Sequence, residues 1–211
     1  IYEAGKLTDS GLRRYMSTAI QSASILMTNL NRAANLIHSF KQVAVDQSSS
    51  ETRLFNLREY IDEVLLSLRP RLKKTNITVK VDVDDSIAVY NYPGAISQIL
   101  TNLVMNSLVH AFPHDESGEI SLSAELVDGN QVALCYRDNG VGMSKEHLQK
   151  VFDPFFTTRR GSGGSGLGMH IVYNLVHQQL GGRIAISSEP GKGVEVLVYF
   201  PTSLKKQEIK V

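Results

Sequence analysis

Few of the features that narrow a function quickly occur in this 211-residue chain. It holds a single cysteine, Cys135, so no internal disulfide braces it, and that thiol lies in the alternating stretch VALCYRD, which predicts a strand. The cytoplasm fits such usage. There is no run of 18 apolar residues to read as a transmembrane helix, and no signal peptide opens the chain. The first residue is Ile1 rather than methionine, so the sequence reads as a piece of something longer, with a membrane anchor elsewhere left open. An excess of charge is missing too. Lys+Arg 22 against Asp+Glu 21 gives a formal net charge of +1, so no global field draws the protein to nucleic acid or to an anionic membrane. Any anion site must be local. What remains is 42% hydrophobic and 20% charged, an ordinary globular composition for one or two domains, without internal repeats.

From Leu12 the apolar residues fall at Leu12, Met16, Ala19, Ala23, Leu26, Leu30, Ala33, Ile37, Phe40 and Ala44, alternating four- and three-residue steps. That is a heptad seam on a long helix, with Thr8 as its N-cap. Ile20, Met27, Ala34 and Leu36 widen the stripe toward that of a four-helix bundle, and no second helix of matching length follows, so dimerisation is the expected way to cover it. The polar cluster DQSSSETR, Asp46 to Arg53, predicts a linker. Beyond it, Asn56 caps a helix to about Lys74, ITVKVDV alternates as a strand from Ile77, and Pro93 starts the helix that carries QILTNLVMNSLVHAF. Two strands joined at Asp128-Gly129 follow, then a helix from about Gly166 to Leu180 stopped by Gly181-Gly182, then two strands around Pro190-Gly191. Helices interleaved with hairpins predict an α+β fold, a mixed sheet covered by helices.

The densest signal is FDPFFTTRRGSGGSGLGMHIV, residues 152 to 172, with five glycines between Gly161 and Gly168. Glycine loses the most backbone entropy on folding, so the cluster needs a reason. Gly161–Gly166 satisfies G-x-G-x-x-G, but no strand ends there, as a dinucleotide fold requires. A Walker A loop is absent. A flexible glycine-serine spacer is the bland reading. The sharper one is main chain that must approach phosphate oxygens ahead of a helix N-terminus.

Other residues favour the second reading. Asp138-Asn139-Gly140-Val141-Gly142 places an acid and two glycines at a strand's end, while Asn102 and Asn106 share a helix face, with His110 four residues on. NLVMNSLVHAF, DNGVGM, FDPFF, GGSGLGMHIV and GKGVEVLVYFP together resemble, in order and spacing, the N, G1, F, G2 and G3 boxes of the ATP-binding domain of sensor histidine kinases. That domain shares a superfamily with DNA gyrase, heat-shock chaperone and mismatch-repair ATPases. The resemblance covers residues 51 to 201, and RAANLIHSFKQVAVDQ is similar to the second helix of the family's dimerisation and phosphotransfer hairpin. It implies a partial helical region over 1–50 and an ATP-binding catalytic domain over 51–211, a two-layer sandwich of the Bergerat type.

The resemblance also implies residue roles, with ATP and Mg2+ as cofactors. Asp138 takes the adenine amino group, for which an acceptor-only carboxylate is suited; alone, it reads equally as a turn aspartate. Gly140 and Gly142 let the chain pass close to the base. Asn106 is the magnesium ligand, an oxygen donor suited to a hard cation that keeps most of its waters, or else a hydrogen-bonded helix residue. Asn102 is the second box asparagine, and His110 meets phosphate, with Asn106 and His110 the catalytic pair. Gly164, Ser165, Gly166, Leu167 and Gly168 surround the phosphates with main-chain amides. Phe155 and Phe156 anchor a lid or are plain core aromatics. Arg159 and Arg160 assist on phosphates, face a partner or are simply solvated. The third glycine box departs from the family: Gly193-Val194-Glu195 stands where a hydroxyl residue is common near the adenine, which leaves water-mediated recognition unsupported.

The superfamily's hydrolases carry a glutamate four residues before the magnesium asparagine, as a general base. Here that place holds Asn102, and no carboxylate occurs between Tyr92 and His114, which favours phosphoryl transfer over hydrolysis. None of His38, His110, His114, His147, His170 and His177 is followed by an acid, as the family's acceptor is, so the acceptor is expected upstream of Ile1 and the fragment is expected to bind ATP without labelling itself. Expected partners are a second copy through the helical region and a response regulator receiver domain, with no nucleic acid. Two alternatives stand beside this: a superfamily hydrolase, and a dimeric scaffold with a degenerate nucleotide site, suggested by Glu195.

Overall fold

The computed structural model describes residues 9–48, 51–112, 116–158 and 165–204. The first element, α1, is a 40-residue helix, Asp9–Ser48, about 60 Å long at 1.5 Å per residue. Along the described part of its seam, Leu12, Met16, Leu26 and Leu30 are all exposed. Thr8 lies outside the described residues, as do the side chains of Ile37, His38, Phe40 and Ala44. The helix runs to Ser48, into the expected linker.

At the other end of that linker Arg53 already belongs to a strand, β1, Arg53–Asn56. It pairs antiparallel with β3, Ala88–Asn91, in a two-stranded ribbon that the sequence pattern did not announce. Between them lie α2, Leu57–Leu72, and β2, Ile77–Val83. Asn56 caps α2 as expected, its Oδ1 accepting from the Glu59 N–H at 2.9 Å. Pro93 opens α3, Pro93–Asn106, which does not continue as α-helix to Phe112 but widens into a π-helical turn, Ser107–Ala111.

Strands β4, Gly118–Val127, and β5, Gln131–Asp138, form the expected hairpin, with Asp128 and Gly129 at φ of 53° and 70°. These left-handed values are what a tight turn asks of its central residues. After β5 come a short helix, α4, Lys145–Lys150, then α5, Gly168–Asn174, which passes into a second π-helical turn, Leu175–Gln179. The chain closes with β6, Arg183–Ser188, and β7, Val194–Pro201.

Five strands make one mixed sheet in the order β2-β4-β5-β7-β6, parallel only between β2 and β4. Strand alternation sends Ile120 and Leu122 of β4, Val132, Leu134 and Tyr136 of β5, and Val196, Val198 and Phe200 of β7 to one face. Against it pack Leu57, Ile61, Val64 and Leu68 of α2, at helical spacing, with Ile96, Ile99, Leu100 and Leu103 of α3 and Ile171 and Val172 of α5. The opposite face is polar: Lys80 pairs with Glu119, Arg137 with Glu195, and the Arg183 guanidinium lies 4.4 Å from the Tyr199 ring centroid. A mixed sheet with one apolar face covered by helices is the α+β arrangement that the pattern predicted and the two-layer sandwich that the resemblance implied.

Candidate functional site

At the C-terminal end of β5, between the sheet and α3, lies a cleft of about 440 Å³, within the range of small-molecule sites. Asp138 stands in its lining, only 3% exposed. A buried carboxylate needs hydrogen-bond partners, and this one has three. Oδ1 accepts from the Gly140 N–H at 3.1 Å and the Val194 N–H at 3.2 Å, and Oδ2 accepts from the Ser107 hydroxyl at 2.6 Å. Ser107 Oγ is in turn 2.7 Å from the Tyr136 hydroxyl, which also reaches the Leu103 carbonyl at 3.2 Å. Burial, above all other causes, pushes the Tyr136 phenol far up, so it serves as a donor.

The glycines after Asp138 are required by close approach. A Cβ on Gly140 would collide with Ala111, the last residue of the π-helical turn, whose carbonyl accepts the Val141 N–H at 2.9 Å. Gly142, at φ 66°, lies against the Glu189 carbonyl in the β6–β7 turn. The loop is thus held between a helix end and a hairpin. Ser188 ties the same corner, its hydroxyl donating to the Gly193 carbonyl at 2.6 Å and accepting from the Met143 N–H at 2.8 Å.

On the facing wall, Asn102 and Asn106 present their amides toward the start of α5. A Cβ built on Gly168 would sit 3.3 Å from Asn106 Oδ1 and 3.4 Å from Asn102 Oδ1, so both oxygens border the same space. Asn102 Nδ2 is occupied on the Gln98 carbonyl at 3.0 Å, which leaves its oxygen turned the other way. His110 Nδ1 is 3.2 Å from the Thr158 hydroxyl at the cleft's edge. Gly166, at φ 71°, packs on the main chain of Phe155, where a Cβ would meet the carbonyl carbon at 2.5 Å.

A family model described as histidine kinase-, DNA gyrase B- and HSP90-like ATPase matches residues 91–204, more than half of the chain and the whole of this cleft. The chain belongs to that ATPase family. Among curated relatives of this chain, sporulation kinase B of Bacillus subtilis (strain 168) is 27% identical over 180 residues, covering 85% of this chain and 40% of the relative. Sensor histidine kinase GacS of Pseudomonas protegens is 29% identical over 187 residues, covering 86% and 20%. The chain therefore spans well under half the length of these relatives. Among solved structures, the nucleotide-free catalytic domain of histidine kinase ThkA superposes with a TM-score of 0.63 at 28% identity, covering 72% of this chain and 97% of that one. ThkA in complex with the response regulator protein TrrA gives a TM-score of 0.66 at 24% identity, which concerns the fold.

In this family member the cleft gathers Asn102, Asn106, His110, Asp138, Gly142, Phe156, Ser165, Gly166 and Gly168. Others of the expected set stand apart from its lining. Gly140 lies beneath, against Ala111, and Leu167 is a buried core side chain. Phe155 carries a left-handed φ of 66° and is 47% exposed, whereas the Phe156 ring turns in and meets the His147 ring at 5.7 Å. Gly164, Arg159 and Arg160 lie outside the described residues. Glu195 is on the polar face of the sheet with Arg137 and Ser187, so it does not enter the cleft; its neighbour Val194 does, through backbone and side chain. Sequence reasoning missed Ser107 and Tyr136. A signal existed for Tyr136, which shares a strand face with Asp138 two residues on.

The donor set suits the expected ligands. Asn106 offers a neutral amide oxygen, and among the described residues no three His, Cys, Asp or Glu side chains gather to cage an ion. Such a wall fits a magnesium ion held largely by phosphate and water.

Proposed function

We propose that this chain is the ATP-binding, phosphoryl-donating portion of a sensor histidine kinase, residues 51–211, preceded over 1–50 by the second helix of its dimerisation and phosphotransfer hairpin. It transfers the γ-phosphoryl of ATP to an imidazole nitrogen of a histidine that precedes Ile1, releases ADP, and acts in a homodimer that signals to a response regulator. The observation that carries this reading is the cleft with Asp138 at one end and Asn102, Asn106 and His110 along its wall. Asp138 receives the adenine amino group on Oδ2, since Oδ1 already has two amide donors. Asn106, supported by Asn102, holds Mg2+, which neutralises charge on the phosphates when bound. His110 steadies the γ-phosphoryl, and the Gly166 and Gly168 main chain lines its path. With an amide at position 102, where the superfamily's hydrolases carry their general-base glutamate, positioning for transfer is favoured over hydrolysis. The relatives' names as sporulation and sensor histidine kinases support the same assignment.

Calorimetric titration with Mg-ATP tests it. Binding is expected for the unsubstituted chain, and Asp138→Asn, which turns an acceptor edge into a mixed one, is expected to weaken it at least about 100-fold, the scale of a lost charge-assisted hydrogen bond plus a misplaced donor. An unchanged affinity removes the adenine assignment.

A further inference from the structure

Asp138 is the member of its buried network to which the resemblance assigns a role, yet it does not stand alone. Ser107, Tyr136 and Asp138 are each no more than 3% exposed, come from two different elements, and all contribute to the lining of one cleft. Hydrogen-bond counting fixes the direction of the chain. An ionised carboxylate only accepts, so the one proton of Ser107 points to Asp138 Oδ2 at 2.6 Å. Ser107 Oγ is then an acceptor toward Tyr136, whose own proton is directed to it at 2.7 Å in preference to the Leu103 carbonyl at 3.2 Å. Each hydroxyl polarises the next, and the chain ends on a charge.

We infer that Ser107 is a positioning residue that sets the purine specificity of this site, with Tyr136 behind it. The inference rests on the adenine role proposed above for Asp138. Gly140 and Val194 amides hold Oδ1, and Ser107 alone among the side chains bonded to Asp138 holds Oδ2. Three donors on two oxygens pin the carboxylate plane and leave one direction at Oδ2 for an incoming donor, which a 6-amino purine supplies and a 6-oxo purine does not. Ser107 can do this because it is the first residue of the π-helical turn at the end of α3, whose far end docks the Gly140 loop through Ala111. It also supplies a hydroxyl to a site whose third glycine box has Val194 in place of one.

The test compares ATP with ITP by calorimetry in four forms of the chain, each checked for an intact thermal transition. The unsubstituted chain is expected to prefer ATP. Ser107→Ala is expected to lose roughly ten-fold in ATP affinity with little change for ITP, so the ATP-to-ITP ratio falls by the same factor. Ser107→Thr keeps the hydroxyl and should restore the ratio, and Tyr136→Phe, which removes only the far oxygen, should lower it by a few-fold. Equal losses for both nucleotides, or a ratio that Thr fails to restore, mean a packing role and overturn the inference. Binding of ATP by Ser107→Ala with affinity and ratio unchanged also overturns it, while leaving the nucleotide reading intact. If the unsubstituted chain binds neither nucleotide, that reading fails first and this one with it.

Discussion

The two regions of the molecule, α1 and the sandwich, draw on the same apolar residues with opposite outcomes. In α1, Ile20 is 68% exposed and Leu30 64%, whereas Ile120, Leu100 and Phe200 of the sandwich are fully buried. The difference is one of closure. A sheet and three helices enclose their apolar faces against one another, whereas among the described residues the seam of α1 has no such cover. The heptad spacing of that stripe is the pattern with which paired helices interlock, which is why a second copy belongs to the function proposed above.

The sharpest way to break that contrast is to truncate the same kind of side chain in both regions. Phe200→Ala removes a fully buried ring near the C-terminal end of β7 and is expected to cost about 3–5 kcal/mol, read as a large fall in the denaturant midpoint of the sandwich. At its edge, Asn56→Ala takes away the cap of α2 and is expected to cost about 1 kcal/mol in the same measurement. Ile20→Gln in α1 should leave that midpoint within about 0.5 kcal/mol while weakening self-association in sedimentation. A fall in the sandwich's midpoint with Ile20→Gln would show that α1 and the sandwich are not independent.

Much of the sandwich was legible because its signals are local. The cap at Asn56, proline at the first turn of α3, alternation in β4, β5 and β7 and the turn at Asp128-Gly129 each act within a few residues. The strands β1 and β3 were not, since four residues show no convincing period and their pairing joins segments more than thirty positions apart. Nor was α4, a six-residue helix that buries none of its side chains. Two of the four sequence patterns that promised a continuous α-helix hid a π-helical turn, at Ser107–Ala111 and Leu175–Gln179. Such a turn inserts one residue without altering the apolar pattern enough to see. The helix expected from Gly166 starts instead at Gly168, because Gly166 is left-handed against Phe155.

By itself, then, the sequence determined the order of the elements, the unpaired seam of α1, the acid at position 138 and the asparagines one helical turn apart. Those follow from spacing along a backbone of fixed geometry. Tertiary structure alone decided which oxygens meet. The β5–β7 register sets Asp138 opposite Val194 and turns Glu195 to the far face, and the end of α3 brings Ser107 under the same carboxylate. Contacts of that kind join residues from 31 to 56 positions apart, and their distances are set by how layers pack rather than by any pattern a single strand or helix carries.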